Sequence, residues 1–242
     1  MRFGSLFSGI GGLDLGLERA GMECTWQVEI DDYCTKVLTK HWPKVPKHKD
    51  IRDCGRHNLE AVDLICGGFP CQPVSLAGRR QAQADPRWLW PEFARVIREL
   101  RPKYVLVENV PGLYSAGGSE VLADLAESGY DAEWDAIPAA AFGATHLRYR
   151  IFIVAYPKRN GLETNTDDRL LCKERNPISP NSSLPTMSLW NTAAPNRTSF
   201  CGMDDGVPAR VDRLRALGNA VVPQVAEWVG HRIMEEATRG DS

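Results

Sequence analysis

Cys71 stands in Gly68-Phe69-Pro70-Cys71-Gln72-Pro73, directly after the apolar run Val62-Asp63-Leu64-Ile65-Cys66. A short strand that ends in two glycines, followed by a proline on each side of the thiol, fixes the backbone and turns the cysteine away from the sheet, as a nucleophile requires. Six further cysteines, Cys24, Cys34, Cys54, Cys66, Cys172 and Cys201, show no CxxC spacing. Free cysteines ordinarily fill cores, so the thiol alone leaves a packing role open.

A second feature with chemical content is Phe7-Ser8-Gly9-Ile10-Gly11-Gly12, at the end of an apolar strand and the start of a helical pattern. Glycine loops there bring backbone N–H groups close to a ligand, and Glu29, twenty residues after Gly9, ends the second strand where an acid takes ribose hydroxyls. The dinucleotide fingerprint is incomplete, because no third glycine follows at the usual spacing. A nucleoside ligand without a pyrophosphate fits better, and S-adenosylmethionine is such a ligand. Ile30 and Ile51 would wall its adenine, with Asp50 near the exocyclic amine. A purely structural tight turn is the alternative for the glycine loop.

The elements that must position these residues read as α/β. The chain has 242 residues, 43% of them apolar, enough for one core with an added lobe. Strands are expected over 3–7, 25–30, 104–107 and 151–155, alternating with helices through Leu13 to Ala20 and Pro91 to Leu100 and one capped by Ser119. This alternation predicts a Rossmann-like, mostly parallel sheet with helices on both faces. Leu217 to Pro223 reads as a turn opening a last helix, with Val225, Val229 and Ile233 on its core face. Residues 157–203 carry five prolines and six asparagines without periodicity, an irregular segment. We therefore divide the chain into 1–156, a catalytic and cofactor-binding domain; 157–205, a short variable segment; and 206–242, returning to the first domain.

Net charge is −2, so a polyanion would have to meet a local basic surface; Arg79 to Lys103 holds seven basic and three acidic residues. The odd cysteine count and the lack of a signal peptide or long apolar run predict a reducing, cytoplasmic setting without a membrane. No metal-ligand spacing is present.

Taken together, Phe7 to Gly12, Glu29, Asp50-Ile51, Gly68 to Gln72, Glu108-Asn109-Val110, Arg148-Tyr149-Arg150 and Gly218-Asn219-Ala220-Val221 occur in the order and approximate spacing of the DNA (cytosine-5)-methyltransferases, which this chain resembles over about three quarters of its length. The resemblance implies methyl transfer from S-adenosylmethionine to carbon 5 of cytosine in double-stranded DNA, with base flipping. It makes Cys71 the nucleophile, Glu108 the acid beside the ring nitrogen, and Arg148 and Arg150, placed on one face by strand alternation, partners of the base and the active-site framework. Phe7, Gly9, Gly11, Gly12, Glu29, Ile30, Asp50, Ile51, Gly68, Pro70, Asn219 and Val221 would hold the cofactor. Ser75, Arg79, Arg80, Lys158 and Arg159 would meet the DNA backbone, with 157–205 choosing the target.

Three departures stand out: Ser5 where the family usually has aspartate, His146 where it usually has glutamine, and a short recognition segment. A compact monomeric member in a bacterial or phage-infected cell is expected, with a restriction endonuclease or a specificity subunit as partner. The same motifs serve relatives that methylate cytosine in transfer RNA, and a catalytically weak nucleic-acid-binding relative would share the fold. The Pro-Cys-Gln sequence favours DNA.

Overall fold

The structure is a computed structural model that describes residues 1–70, 88–158, 170–171 and 210–240. Its centre is a seven-stranded sheet in the order β3-β2-β1-β4-β5-β7-β6. The strands are β1 (Arg2–Leu6), β2 (Glu23–Val28), β3 (Lys47–His48), β4 (Leu64–Gly67), β5 (Tyr104–Asn109), β6 (Tyr130–Pro138) and β7 (Tyr149–Pro157). The first five run parallel; β7 is antiparallel to both β5 and β6. The mostly parallel expectation therefore holds, with an antiparallel hairpin at one edge.

Both faces of the central strands are buried, so each reads as a nearly continuous apolar run. Alternation sends Leu64, Cys66 and Leu106 to one face and Ile65, Val105 and Val107 to the other. The second face is covered by α3 (Trp90–Leu100) and α5 (Gly118–Glu127), whose Phe93, Val96, Ile97, Val121 and Leu125 meet Trp26 and Ile65. The first is covered by α1 (Gly12–Arg19) and α7 (Pro223–Gly240), with Leu13 and Leu17 against Val225, Val229 and Ile233. Between them α2 (Asp32–His41) follows β2, a single turn, α4 (Leu113–Ala116), follows β5, and α6 (Arg210–Asn219) precedes α7.

Local chemistry explains the starts and stops. Gly21 follows α1 with φ +90°, and the Asp31 side chain caps α2 by accepting from Cys34 N at 2.9 Å. Ser119 is not a cap: α5 opens at Gly118 after Gly117, with no side-chain cap, and Ser119 lies inside the helix. The strand β6 was absent from the expected set. Its alternation of Tyr130, Ala132, Trp134 and Ala136 with Asp131, Glu133 and Asp135 gives an edge strand of low hydrophobicity, and the acids hide the pattern.

The docking of α7 on α1 is close because both helices carry glycine at the crossing. A Cβ on Gly16 would lie 2.4 Å from Ala226 Cβ and equally near Pro223 O, and one on Gly230 would lie 2.7 Å from Ala20 Cβ. An Arg19–Glu227 ion pair at 3.8 Å flanks the contact. Gly16→Val should therefore force the helices apart and cost about 1–3 kcal/mol of stability, measured by urea unfolding. An unchanged midpoint would show that α7 does not seat here.

Candidate active site

Parallel strands deliver their carboxyl ends to one edge of the sheet, and a cavity of about 440 Å³ opens there. Six segments wall it: Phe7 to Gly9 after β1, Glu29 to Asp31 after β2, Asp50 to Arg52 after β3, Gly68 to Pro70 after β4, Glu108 to Val110 at the end of β5, and Asn219 to Val221 between α6 and α7. Arg150, on β7, closes one side.

The loop between β1 and α1 is wound left-handed, with φ +54° at Phe7, +56° at Gly9 and +83° at Gly11. A non-glycine residue in that region is strained, and Phe7 is held by an edge-on contact with Phe93, 6.2 Å between ring centres. Glu29 secures the loop from the side. Its Oε2 accepts from Gly9 N at 2.7 Å and its Oε1 from Asp31 N at 2.7 Å, while burial raises its carboxyl above the ordinary range against those two hydrogen bonds. Each oxygen keeps a lone pair for a ligand hydroxyl. Gly12 has no space for a side chain, since a Cβ there would stand 2.3 Å from Val221 O.

Ile51 is buried under the floor, whereas Ile30 is 65% exposed at the rim. The Asp50 carboxylate accepts from Arg52 N at 3.0 Å and pairs with the Arg52 guanidinium at 3.2 Å, so its side chain is partly committed. Gly11 departs from the expected set. It does not line the cavity, and a Cβ on it would meet the Trp42 ring at 2.5 Å, behind the loop.

At the other end, Glu108 is only 7% exposed. Its Oε1 lies 3.0 Å from Arg150 Nε, an ion pair whose angle leaves that oxygen without a hydrogen bond among the described residues. A Cβ on Gly68 would come within 2.5 Å of Glu108 Oε2, so glycine there lets the turn leading to residue 71 pass directly over the carboxyl. Burial pushes Glu108 up to about 7 against the downward pull of the Arg150 and Arg148 charges. A buried carboxyl that titrates near neutrality can hold and release a proton under working conditions.

The two arginines do different things. Arg150 faces Glu108, whereas Arg148, at φ +32°, sends Nη2 to the carbonyls of Gly218 and Ala220, both at 2.7 Å, and does not line the cavity. Arg148 thus ties the end of α6 to the sheet, and the expected shared face is not realised because the strand begins at Tyr149. Cys71, Ser75, Arg79, Arg80 and Arg159 lie outside the described residues, as does most of 157–205. Lys158 is exposed, and its N–H donates to Gly129 O at 3.1 Å.

Two contributors were not anticipated. Asn109 donates from Nδ2 to Phe69 O at 3.1 Å and accepts from Val110 N at 2.8 Å, joining the ends of β4 and β5. Asp212, Arg215 and Ala216 of α6 also line the cavity. The Glu-Asn-Val sequence pointed to Asn109, but α6, weakly patterned, gave no such signal.

Glu108 carries a stability signature. Its pKa is raised in the fold, so the stabilisation is complete below its unfolded value of 4.5 and is lost as pH climbs through about 7. Relative to Glu108→Gln, the wild type should lose roughly 2–4 kcal/mol between those limits, seen as diverging urea midpoints. Parallel midpoints would mean that the carboxyl is not buried as described.

Comparisons with known proteins follow the same residues. The family model for C-5 cytosine-specific DNA methylases matches residues 1–196. Type II methyltransferase M.HgiCII of Herpetosiphon aurantiacus is 36% identical over 167 residues, 66% of this chain and 38% of the relative. M.FnuDI of Fusobacterium nucleatum is 39% identical over 164 residues, 65% of this chain and 47% of the relative. M.AquIA of Picosynechococcus is 36% identical over 172 residues, 62% of this chain and 69% of the relative. The chain thus spans less than half the length of the first two relatives. Among solved structures, a prophage-encoded E. coli chain described as a DNA modification methyltransferase aligns with TM-score 0.56 at 29% identity over 69% of this chain and 49% of that one. The S. pombe Dnmt2 methyltransferase, at TM-score 0.57 and 24% identity over 69% of this chain and 54% of that one, shares the fold. With the family model covering the whole sheet and every cavity wall except those supplied by α6 and the turn after it, this chain belongs to the C-5 cytosine-specific DNA methylase family.

Proposed function

We propose that this chain transfers a methyl group from S-adenosylmethionine to carbon 5 of cytosine in double-stranded DNA, with Cys71 as nucleophile. The observation that carries the reading is the meeting of the Gly68–Pro70 turn, which leads directly into Cys71, with the buried Glu108 carboxyl and Arg150 at the cavity edge.

Carbon 5 of cytosine is a poor nucleophile. Thiolate addition at carbon 6 makes it enamine-like, and electron density then collects on the ring nitrogen N3. Glu108, held near neutrality, donates a proton there, while Arg150 fixes the carboxyl and offers its remaining N–H groups to the base. The bound cofactor supplies the methyl group as a sulfonium electrophile. Loss of the carbon 5 proton to a base then expels the Cys71 thiolate, and return of the N3 proton to Glu108 restores the neutral ring.

The cavity fits that cofactor. Glu29, with lone pairs left on both oxygens, would take the ribose hydroxyls; Ile51, with Ile30 at the rim and Asp50 alongside, would hold the adenine; and Phe7, Gly9, Gly12, Asn219 and Val221 would surround the amino-acid end. Gly68 and Pro70 would stand between the cofactor and the base. Gly11 acts from behind, by letting the loop pass Trp42.

A paired base cannot reach this depth, so the target must be flipped out, at a cost of a few kcal/mol offset by contacts to the base and phosphates. Ser75, Arg79, Arg80, Lys158 and Arg159 are the proposed phosphate contacts, and 157–205 the target-recognition segment, between the catalytic domain 1–156 and the returning segment 206–242. The bacterial origin of the relatives supports a bacterial cytoplasmic setting, with a cognate restriction endonuclease as natural counterpart.

DNA carrying 5-fluorocytosine should trap a covalent complex on the wild-type protein, and Cys71→Ala should abolish both trapping and methyl transfer. Methyl transfer by that variant would exclude Cys71 as nucleophile. Glu108→Gln should slow transfer by roughly 10²-fold or more. For Glu29→Ala, calorimetry should find cofactor affinity weakened by about 1.5–3 kcal/mol; unchanged affinity would remove Glu29 from the ribose site.

A further inference from the structure

Asp14 is fully buried and does not itself line the cavity. It sits in the first turn of α1, directly behind Gly12 and Leu13, which do. Its Oδ2 accepts from Ser5 Oγ on β1 at 3.0 Å and its Oδ1 from Gln27 Nε2 on β2 at 2.8 Å. Ser5 is a cavity residue, so one residue layer separates the carboxylate from the cavity. The ionisable groups facing it are Cys24 of β2, 3.8 Å from Oδ1, Cys66 of β4, Glu18 of α1 and Lys47 of β3. The Lys47 ammonium is already bonded to the carbonyls of Trp42 and Val45.

The charge at this position costs stability. Burial pushes the carboxyl up to about 6, so at neutral pH the fold carries a desolvated anion, only partly relieved by the helix N-terminus, the Ser5 and Gln27 donors and the weak donor Cys24 Sγ. A carboxamide would serve the packing better. An amide at position 14 would still accept from Gln27 Nε2 and would donate to Ser5 Oγ, without a charge.

A buried anion one layer behind the cavity favours a cation in front of it. Methyl transfer removes such a cation: the sulfonium sulfur gives up its methyl group and keeps the bonding electron pair, leaving a neutral thioether, S-adenosylhomocysteine. We infer that Asp14 is a positioning charge that sets the preference of the cavity for the cationic methyl donor over its neutral demethylated product, acting through space. This rests on the S-adenosylmethionine reading above. Glu29 adds to the same field, but it is also proposed to touch the ligand, whereas Asp14→Asn changes the charge without removing a ligand contact.

The test is calorimetry on the full chain with S-adenosylmethionine and S-adenosylhomocysteine separately. Asp14→Asn should weaken the first on the order of tenfold at neutral pH and leave the second within about twofold, with a melting temperature no lower than wild type. Ser5→Ala, which drops one hydrogen bond and keeps the charge, should retain the preference. In the wild type the preference should fall as pH drops through about 6, where Asp14 takes up a proton, with a smaller fall in Asp14→Asn. Equal weakening of both ligands, or no change in either, would overturn the inference while leaving the methyltransferase reading standing. A wild-type protein that bound neither ligand would overturn both.

Discussion

The backbone of Gly12 lies against the carbonyl of Val221, too close for any side chain, and the cavity depends on that contact. It joins the first loop of the chain to a turn more than two hundred residues later, and it exists because α7 is docked on α1 through Gly16 and Gly230. Arg148 adds a second fastening by gripping the carbonyls of Gly218 and Ala220. Without these ties the ends of β1, β2, β4 and β5 would still converge, but the cavity would lack a wall.

Around this enclosure the molecule concentrates buried acid. Asp14, Glu29 and Glu108 all have their carboxyls raised mainly by burial, and each is held by only a few donors. Residues chosen for stability alone would not accumulate desolvated anions at one edge of a sheet. Their division of labour follows from depth: Glu108 meets Arg150, Glu29 holds the glycine loop, and Asp14 stands behind the wall.

Much of this was legible in the sequence, for a physical reason. Buried parallel strands must be apolar, and glycines must stand where backbones crowd, so β1, β4, β5 and the loop from Gly9 to Gly12 announced themselves, as did the return of Val225, Val229 and Ile233. The edge strand β6 did not, because its half-exposed register tolerates acids, and α6 did not, because its apolar spacing is weak. Ser5 read as a departure from the family. The structure shows its hydroxyl bonded to a carboxylate on the neighbouring helix, a tertiary pairing that no single position reveals.

The antiparallel pairing of β7 between β5 and β6, and the late arrival of α7, also set an order of assembly. During synthesis β1, β2 and α1 emerge long before the helix that covers them, and Leu13, Leu17 and Phe3 must wait with their apolar surface open. Such contacts, distant along the chain, form slowly and leave intermediates prone to association. A nascent chain therefore lacks one wall of this cavity until α7 has emerged, the kinetic consequence of a site assembled from segments about two hundred residues apart.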